Sequence, residues 1–314
     1  MSNVYMAAEY TGNIMNKGTV PYPRDPPGES IDCVDTRGMV LELRNMSFSY
    51  PAAQSGAALN DISLNIEAGP LVVLVGANGS GKSTLVRLLS GLYKPSPGAG
   101  AFLIPAEDYR IGDLYQAIAL LSQENQVYPL SLSENMSLGT TQAPCKDEVD
   151  GAARLGGASE FIFRFEKGMN TELQVFSDAM AHNLHGKPDH PLSQEMKGLP
   201  TDIDISGGEK QRLVASRTFM RFNSGAVRFV AVDEPTSALD AEGELQLFNN
   251  LLAARKGKTM VFVTHRFGHL TKHADKIVCM KAGQIVEMGT HAELMQKENG
   301  EYANLYKIQA DAYI

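Results

Sequence analysis

The sequence predicts an α/β fold built around a largely parallel sheet. Short, wholly apolar segments such as Leu71–Val75 and Phe229–Val232 have the length and composition of central strands buried on both faces. Segments with helical spacing, including Ser83–Leu92 and Glu209–Arg221, lie between such strands. Strands that alternate with helices along one chain are typical of a sheet covered by helices.

The other predicted elements fit the same architecture. Further strands are predicted at 40–43, 62–66, 118–121 and 259–263. Ile277–Met280 and Gln284–Met288, joined by Ala282-Gly283, are typical of an antiparallel hairpin. The last stretch, Ala292–Ala310, predicts a helical tail.

Composition narrows the classes of function. Of the 314 residues, 43% are hydrophobic and 20% are charged, as in an ordinary folded protein, and the formal net charge is -8. Because phosphate backbones are bound by basic surfaces, this acidic balance argues against nucleic acid as the main partner. The three cysteines lie far apart, which favours a reducing, intracellular setting. No apolar run approaches the roughly 20 residues of a membrane helix, so we expect any membrane role to come through a partner.

Two segments differ from the rest of the chain. Residues 1–37 contain clustered prolines and predict a flexible N-terminal linker, and the folded domain is predicted to occupy 38–314. Residues 174–199 combine Pro188 and Pro191 with three histidines and many polar side chains, which predicts a surface insertion. The histidines alone do not indicate a metal site, because no cysteine or carboxylate pair accompanies them.

The most specific motif is a glycine-rich turn between the strand Leu71–Val75 and the helix that follows. Gly76-Ala77-Asn78-Gly79-Ser80-Gly81-Lys82-Ser83 matches the P-loop pattern GxxxxGK followed by Ser or Thr. Its glycines let backbone N–H groups turn inward around phosphate oxygens, and the helix N-terminus adds its dipole. We expect Lys82 to reach the β- and γ-phosphates of a nucleotide and Ser83 to ligate Mg²⁺.

Two carboxylates end the apolar strand Phe229–Val232. Ligands bind at the carboxyl ends of strands in open α/β sheets. We therefore expect Asp233 to hold Mg²⁺, directly or through water, and Glu234 to act as the general base that orients the attacking water. Acidic residues commonly end strands, so this pattern becomes specific only because a P-loop precedes it.

A third motif, Ile205-Ser206-Gly207-Gly208-Glu209, begins a predicted helix. Ser206 can cap that helix, and the glycines expose its N-terminal N–H groups. Taken alone, the motif is compatible with an ordinary helix cap.

In order and spacing these motifs resemble the nucleotide-binding domain of ABC transporters, over about Met39 to Ala310. Ser206-Gly207-Gly208-Glu209 is similar to the family signature, with Ile205 where leucine is usual. The resemblance implies a P-loop NTPase fold with an ABC-type core sheet, an antiparallel β-subdomain and an inserted α-helical subdomain at about 125–225. It also implies ATP and Mg²⁺ as cofactors.

Four further residues acquire roles from this resemblance. Gln123 is similar to the Q-loop glutamine that senses Mg²⁺, and His265 to the switch histidine beside the γ-phosphate. Asp240 is similar to the D-loop aspartate, and Tyr50 to the aromatic residue that stacks on adenine. Each also has a structural interpretation, respectively a surface glutamine, a helix-cap histidine, a helix-start residue and a strand-end core aromatic.

The resemblance therefore defines a set of expected site residues. The expected cofactor-binding residues are Tyr50, Gly76, Asn78, Gly79, Ser80, Gly81, Lys82, Ser83, Thr84, Ser206, Gly207, Gly208 and Asp240. The expected catalytic residues are Glu234, His265, Gln123 and Lys82, and the expected Mg²⁺ ligands are Ser83, Gln123 and Asp233.

The mechanism implied by the resemblance is a head-to-tail dimer with a second nucleotide-binding domain, of the same or a different kind. ATP held by Lys82 of one subunit would be covered by Ser206 and Gly208 of the other, and the ATP would be hydrolysed there. Tyr50-Pro51 and Gly289–Leu294 are most similar to the exporter branch. This implies membrane-spanning transporter subunits as partners, no nucleic acid, and a cytoplasmic position at the cytosolic face of a membrane.

Two segments bear on how this domain would be coupled to membrane-spanning subunits. Residues 14–23 are similar to the linker that joins the last membrane helix of exporters to this domain. In exporters a short segment with glutamate and glycine precedes the signature and touches the membrane domain, but Lys197–Asp204 departs from that pattern. We expect the insertion at 174–199 to modify docking to a membrane subunit.

Two other functions are compatible with part of the pattern. A cassette that acts on DNA or ribosomes would carry sustained coiled-coil heptads or a second cassette, and the sequence shows neither. A regulatory cassette without hydrolysis is disfavoured because both Glu234 and His265 are present.

Overall fold

The computed structural model describes residues 38–50, 56–93, 101–103, 115–122, 126–173, 205–234, 239–264 and 270–312. Four predictions fall outside these ranges: the linker at 1–37, Gln123, the insertion at 174–199, and His265. The chain divides into two compact units, one formed by 1–123, 225–235 and 253–314, the other by 124–224 and 236–252.

The described strands and helices follow one another in a mixed order. They are β1 (Leu41–Phe48), β2 (Leu59–Ile66), β3 (Leu71–Val75), α1 (Lys82–Leu89), β4 (Ala101–Leu103), β5 (Ile118–Leu121), α2 (Leu132–Ser137), α3 (Lys146–Leu155), α4 (Ser159–Ile162), a 3₁₀ turn (Gly168–Asn170), α5 (Gly207–Phe222), β6 (Phe229–Asp233), α6 (Ala241–Ala254), β7 (Thr259–Val263), α7 (Leu270–His273), β8 (Lys276–Lys281), β9 (Gln284–Gly289), α8 (His291–Met295) and α9 (Glu301–Ala312).

The first unit contains two sheets. The larger sheet has the strand order β5-β6-β7-β3-β8-β9, and it is parallel except for β9, which pairs antiparallel with β8. Every residue of β3, β6 and β7 is buried, as expected of central strands covered on both faces. The smaller sheet is antiparallel, with the order β2-β1-β4.

One continuous apolar core joins the two sheets of this unit. It contains alternate residues of β1 and β2, residues of the central strands, and the inner face of α1. This arrangement confirms the predicted fold class, since it combines a P-loop core sheet with an antiparallel β-subdomain. The core fixes the carboxyl ends of β3 and β6, where the sequence motifs lie.

The predicted helical tail consists of two helices separated by a turn. Helix α8 ends at Met295 and α9 begins at Glu301. Asn299 between them has a φ of 58°, a left-handed conformation that Asn tolerates and that stops a helix, and Gly300 follows. The Glu287 carboxylate accepts the N–H groups of Glu301 and Tyr302 at 3.2 and 3.0 Å, which gives α9 its own N-terminal cap.

The second unit is helical. Helices α2 and α3 pack against the long helix α5, which is buried on most sides between Gln211 and Met220. Ser206 precedes α5 as its N-cap, so this unit presents the predicted signature at a helix N-terminus. Among the described residues, no helix is long and apolar enough to cross a membrane.

Candidate functional site

The P-loop of the first unit forms a tight turn between β3 and α1. Ala77, Asn78 and Gly79 are exposed at its tip, whereas Gly76 and Ser80 are buried. The Ser80 N–H donates to the Ala77 carbonyl at 3.2 Å, and the Gly283 N–H donates to the Ser80 carbonyl at 3.1 Å. The loop is therefore held by its own backbone and by the β8–β9 turn.

Lys82 lies inside this loop with only 4% of its surface exposed. Its Nζ donates to the carbonyl oxygens of Gly76 and Ala77 at 2.9 and 3.0 Å. Burial lowers the pKa of the Lys82 ammonium, and the nearby carboxylates of Glu234 and Asp233 oppose that shift. The structure thus brings together the loop, a desolvated cation and two carboxylates in one unit.

Ser83 and Asp233 are in direct contact, although 150 positions separate them in the sequence. The Ser83 hydroxyl donates to Oδ1 of Asp233 at 2.9 Å. Burial raises the pKa of the Asp233 carboxyl, while this hydrogen bond lowers it. Because Mg²⁺ prefers oxygen ligands, and two oxygens in adjacent octahedral positions lie about 3 Å apart, this pair fits a Mg²⁺ site.

Glu234 follows β6 in a backbone conformation that non-glycine residues seldom adopt. Its φ is 46°, and its N–H donates to the Val263 carbonyl at 3.3 Å. Such conformations are maintained by the surrounding structure and are enriched at functional sites. The turn places the Glu234 carboxylate in the same neighbourhood as Lys82, beyond the carboxyl end of the strand.

Tyr50 lies at the end of β1, half-buried against two other aromatic rings. Its ring contacts Phe48 and Tyr93 edge to face, with centroids 5.0 and 5.3 Å away. Its hydroxyl is 3.0 Å from the hydroxyl of Thr84 on α1. Sequence reasoning included both residues in the site but did not foresee this contact, which ties the aromatic residue to the P-loop helix.

The signature forms the N-terminus of α5 in the second unit. The Ser206 Oγ accepts the Glu209 N–H at 3.3 Å, and the Glu209 carboxylate accepts the Ser206 N–H at 2.7 Å. This reciprocal capping box leaves Ser206 and Gly207 exposed. A helix N-terminus that presents exposed N–H groups suits an anionic ligand.

Asp240 lies beside the signature in the same unit. Its Oδ1 accepts the Gly243 N–H at 3.0 Å, which caps α6, and lies 3.8 Å from Nη2 of Arg212. The helix-start interpretation thus describes one of its contacts, and the pair with Arg212 is a second. A role in nucleotide turnover stays a prediction.

Some residues around the signature were missed by sequence reasoning. Arg164 forms an ion pair with Glu209, and Arg164, Arg212 and Phe161 line a cavity with Ser206 and Gly208. No linear motif marks Arg164 or Phe161, because they are brought to the signature by the packing of α4 and the turn after it. Arg212 follows the signature by three residues and was the one detectable from helical spacing.

Comparison with known proteins gives the family. A sequence profile described as ABC transporter matches residues 59–237. An ATP-dependent lipid A-core flippase of Pseudomonas aeruginosa is 34% identical over 272 residues, which cover 86% of this chain and 40% of that protein. ABC transporter B family member 1 of Arabidopsis thaliana is 34% identical over 278 residues, with 87% of this chain and 19% of that protein covered.

A solved structure agrees with these relatives. The structure described as a bacterial Atm1-family ABC exporter with ATP bound has a TM-score of 0.69 and 26% identity to this chain. The similarity covers 93% of this chain and 44% of that chain. The chain therefore spans less than half the length of these relatives, and the predicted resemblance to exporters is confirmed. The family profile covers more than half of the 314 residues, so the chain belongs to the ABC transporter family and carries its ATP-binding domain.

Proposed function

We propose that this chain binds MgATP and hydrolyses it at the interface of a head-to-tail dimer, and thereby powers transport by membrane-spanning subunits at the cytosolic face of a membrane. Residues 38–314 would act as one ATPase domain, with a helical part at about 125–225. The names of the relatives, which include a flippase and an exporter, support the transport role.

The observation that carries the proposal is the cluster at the carboxyl ends of β3 and β6. Lys82 is buried there beside Asp233 and Glu234, and Ser83 donates to Asp233. A desolvated lysine and a loop of inward-facing N–H groups suit the β- and γ-phosphates of ATP. Few functions other than nucleotide binding require this combination.

Each residue of the cluster has a distinct proposed task. Ser83 and Asp233 would hold Mg²⁺, which when bound neutralises charge that develops on the transferred phosphoryl group. Lys82 would move from the Gly76 and Ala77 carbonyls to the phosphate oxygens. Glu234 would accept a proton from the attacking water, which it must orient in line with the γ-phosphate.

The proposal of a dimer rests on the signature. The exposed N-terminus of α5, with Ser206, Gly207 and Gly208, suits the γ-phosphate of a nucleotide bound by a second subunit. Two equivalent sites would then form in a two-fold dimer. Tyr50 would stack on the adenine, and Gln123, His265 and Asp240 would complete the catalytic environment.

The assignment of Glu234 can be tested by steady-state ATPase assays. We expect Glu234→Gln to keep ATP binding and to lower turnover by about 100-fold or more, because the amide cannot accept the proton. Glu298→Gln is the matched control, because Glu298 is exposed in the turn before α9, and it should retain wild-type turnover. Turnover of Glu234→Gln at the wild-type rate would show that the base is another group.

A further inference from the structure

A charged cavity surrounds the N-terminus of α5 in the second unit. Its volume is about 470 Å³, within the range of small-molecule sites. Ser206 and Gly208 line it together with five charged side chains, which are those of Glu160, Arg164, Glu209, Arg212 and Asp240. This cavity is the face that would receive the triphosphate of the opposite subunit.

The Glu209 carboxylate connects two of these residues. One of its oxygens, Oε2, accepts the Ser206 N–H at 2.7 Å. The other oxygen, Oε1, pairs with the Nη2 of Arg164. Since the Glu209 N–H also donates to the Ser206 hydroxyl oxygen, Arg164, Glu209 and Ser206 form one continuous chain of polar contacts.

The burial of the pair is asymmetric. The Glu209 side chain is 18% exposed, whereas the Arg164 side chain is 66% exposed. Arg164 therefore reaches from solvent to neutralise a carboxylate that is largely enclosed. Arg212 has other contacts, since it donates to the Gly157 carbonyl at 3.3 Å and lies 3.8 Å from Asp240.

A carboxylate on a face that receives ATP needs such a counterion. An uncompensated negative charge beside the phosphates would repel them, and the same charge must stay in place because it fixes the Ser206 backbone. An arginine that pairs with Oε1, the other oxygen of Glu209, meets both requirements. The arginine neutralises the charge of the Glu209 carboxylate and holds this carboxylate in the orientation that caps α5.

We propose that Arg164 is a positioning residue for the signature: through Glu209 it neutralises and orients the face on which Ser206 meets the nucleotide of the partner subunit. This inference rests on the dimer of the proposed function. It concerns the second half of the composite site, so the first half, the P-loop, should bind nucleotide independently of Arg164.

The first experiment measures ATP-dependent dimerisation by sedimentation, with every chain carrying Glu234→Gln. We expect Arg164→Ala to raise the ATP concentration for half-maximal dimer by about tenfold, the effect of one uncompensated charge near a phosphate at a protein surface. Arg164→Lys should recover most of the loss. Arg154→Ala, at an exposed arginine of α3 outside this cavity, is the control and should change nothing.

The second measurement separates an effect on the P-loop from an effect on the signature. Binding of a fluorescent ATP analogue to the monomer reports the P-loop alone, and we expect the same affinity with Arg164→Ala as without it. Reduced monomer binding would overturn the inference, because Arg164 would then act on general folding or on the first face.

A double-mutant cycle tests the route through Glu209. Glu209→Gln retains an acceptor oxygen for the Ser206 N–H but removes the charge that Arg164 neutralises, so the chain with both substitutions should dimerise within about twofold of the parent chain. Dimerisation of the double variant as weak as that of Arg164→Ala alone, or no loss from Arg164→Ala itself, would overturn the inference. If the Glu234→Gln chain itself forms no dimer with ATP, the proposed function fails, and the inference fails with it.

Discussion

At the scale of single residues, Gly76 shows why the P-loop requires its sequence. Its φ is 149°, and a Cβ built there would lie 2.2 Å from the Met280 carbonyl oxygen and 2.8 Å from the Ser80 hydroxyl. A carbonyl of β8 cannot move away without breaking the sheet. The position therefore needs glycine both for its conformation and for its space.

This gives a prediction for Gly76→Ala with Gly225→Ala as its matched control. Gly225 also has a positive φ, 66°, but a Cβ there meets nothing within 4 Å. We expect Gly225→Ala to cost about 1 kcal/mol in the free energy of unfolding, from conformation alone. Gly76→Ala adds a backbone collision and should cost roughly 3 kcal/mol or more, with loss of ATP binding. If urea unfolding shows that the two variants lose the same free energy of unfolding, the backbone collision at Gly76 is contradicted.

Single residues also show which parts of the candidate site can be predicted from the sequence. The P-loop and the strand-end carboxylates were predictable because each is a contiguous motif whose chemistry depends on spacing. The contacts of Tyr50 with Thr84 and of Arg164 with Glu209 were not, because they join residues 34 and 45 positions apart through tertiary packing. No periodic pattern in one sequence specifies such a pair.

At the scale of elements, Arg217 joins helix α5 to the segment that precedes and forms α2. Its Nε donates to the Asn135 carbonyl at 2.8 Å, and Nη2 donates to the Asn135 side chain at 3.1 Å. Its Nη1 donates to the Gln126 carbonyl at 3.1 Å, and the guanidinium lies 5.2 Å from the Tyr128 ring centroid. One planar cation thus fixes four points of the second unit.

We expect Arg217→Ala to destabilise the chain by about 2–4 kcal/mol, because it removes three hydrogen bonds from a charged donor to Asn135 and Gln126. Arg217→Lys should recover less than half of the loss, since an ammonium cannot match the planar fork. Arg154→Ala, at an exposed position, should stay within about 0.5 kcal/mol of wild type. Urea unfolding checks all three, and a neutral Arg217→Ala would contradict this role.

Element boundaries were predictable where capping residues are explicit. Helix α5 begins after Ser206 and α8 after Thr290, and both have a glutamate three residues on that completes a capping box. The break between α8 and α9 was missed, although Asn299-Gly300 is a turn signal. The contact that caps α9, from Glu287 to the N–H groups of Glu301 and Tyr302, comes from strand β9 and is not specified by the local sequence.

At the scale of the whole molecule, the sheet class followed from strand composition alone. Strand β3 is wholly apolar, and β6 and β7 are apolar except for Asp233 and Thr259 at their ends, so their central place was predictable. Their order, with β3 between β7 and β8, was not, because single-sequence patterns carry no information about which strands are neighbours. The family resemblance implied an ABC-type core sheet and an antiparallel β-subdomain, and the order of the strands comes from the structure.

Nucleotide and metal should stabilise the folded chain. A ligand at 100 times its dissociation constant adds about 2.7 kcal/mol, which corresponds to several degrees in melting temperature. We expect ATP with Mg²⁺ to raise the melting temperature more than ATP with EDTA. Asp233→Asn should remove the part of this rise in melting temperature that depends on Mg²⁺. Lys82→Ala should remove the part that depends on ATP. An Asp233→Asn chain that keeps the full Mg²⁺ effect would contradict the assigned ligand.

In the proposed dimer each catalytic site is shared between two chains, and this sharing can be tested by complementation between two inactive variants. Lys82→Ala disables the P-loop, and Ser206→Arg blocks the signature, so each variant alone should be inactive. In an equal mixture, half of the dimers are mixed and each has one site free of both substitutions. We expect the mixture to recover about a quarter of wild-type ATPase activity, from the statistics of a two-fold dimer. A mixture as inactive as its components, with both variants folded and mixed dimers detected, would contradict a composite site.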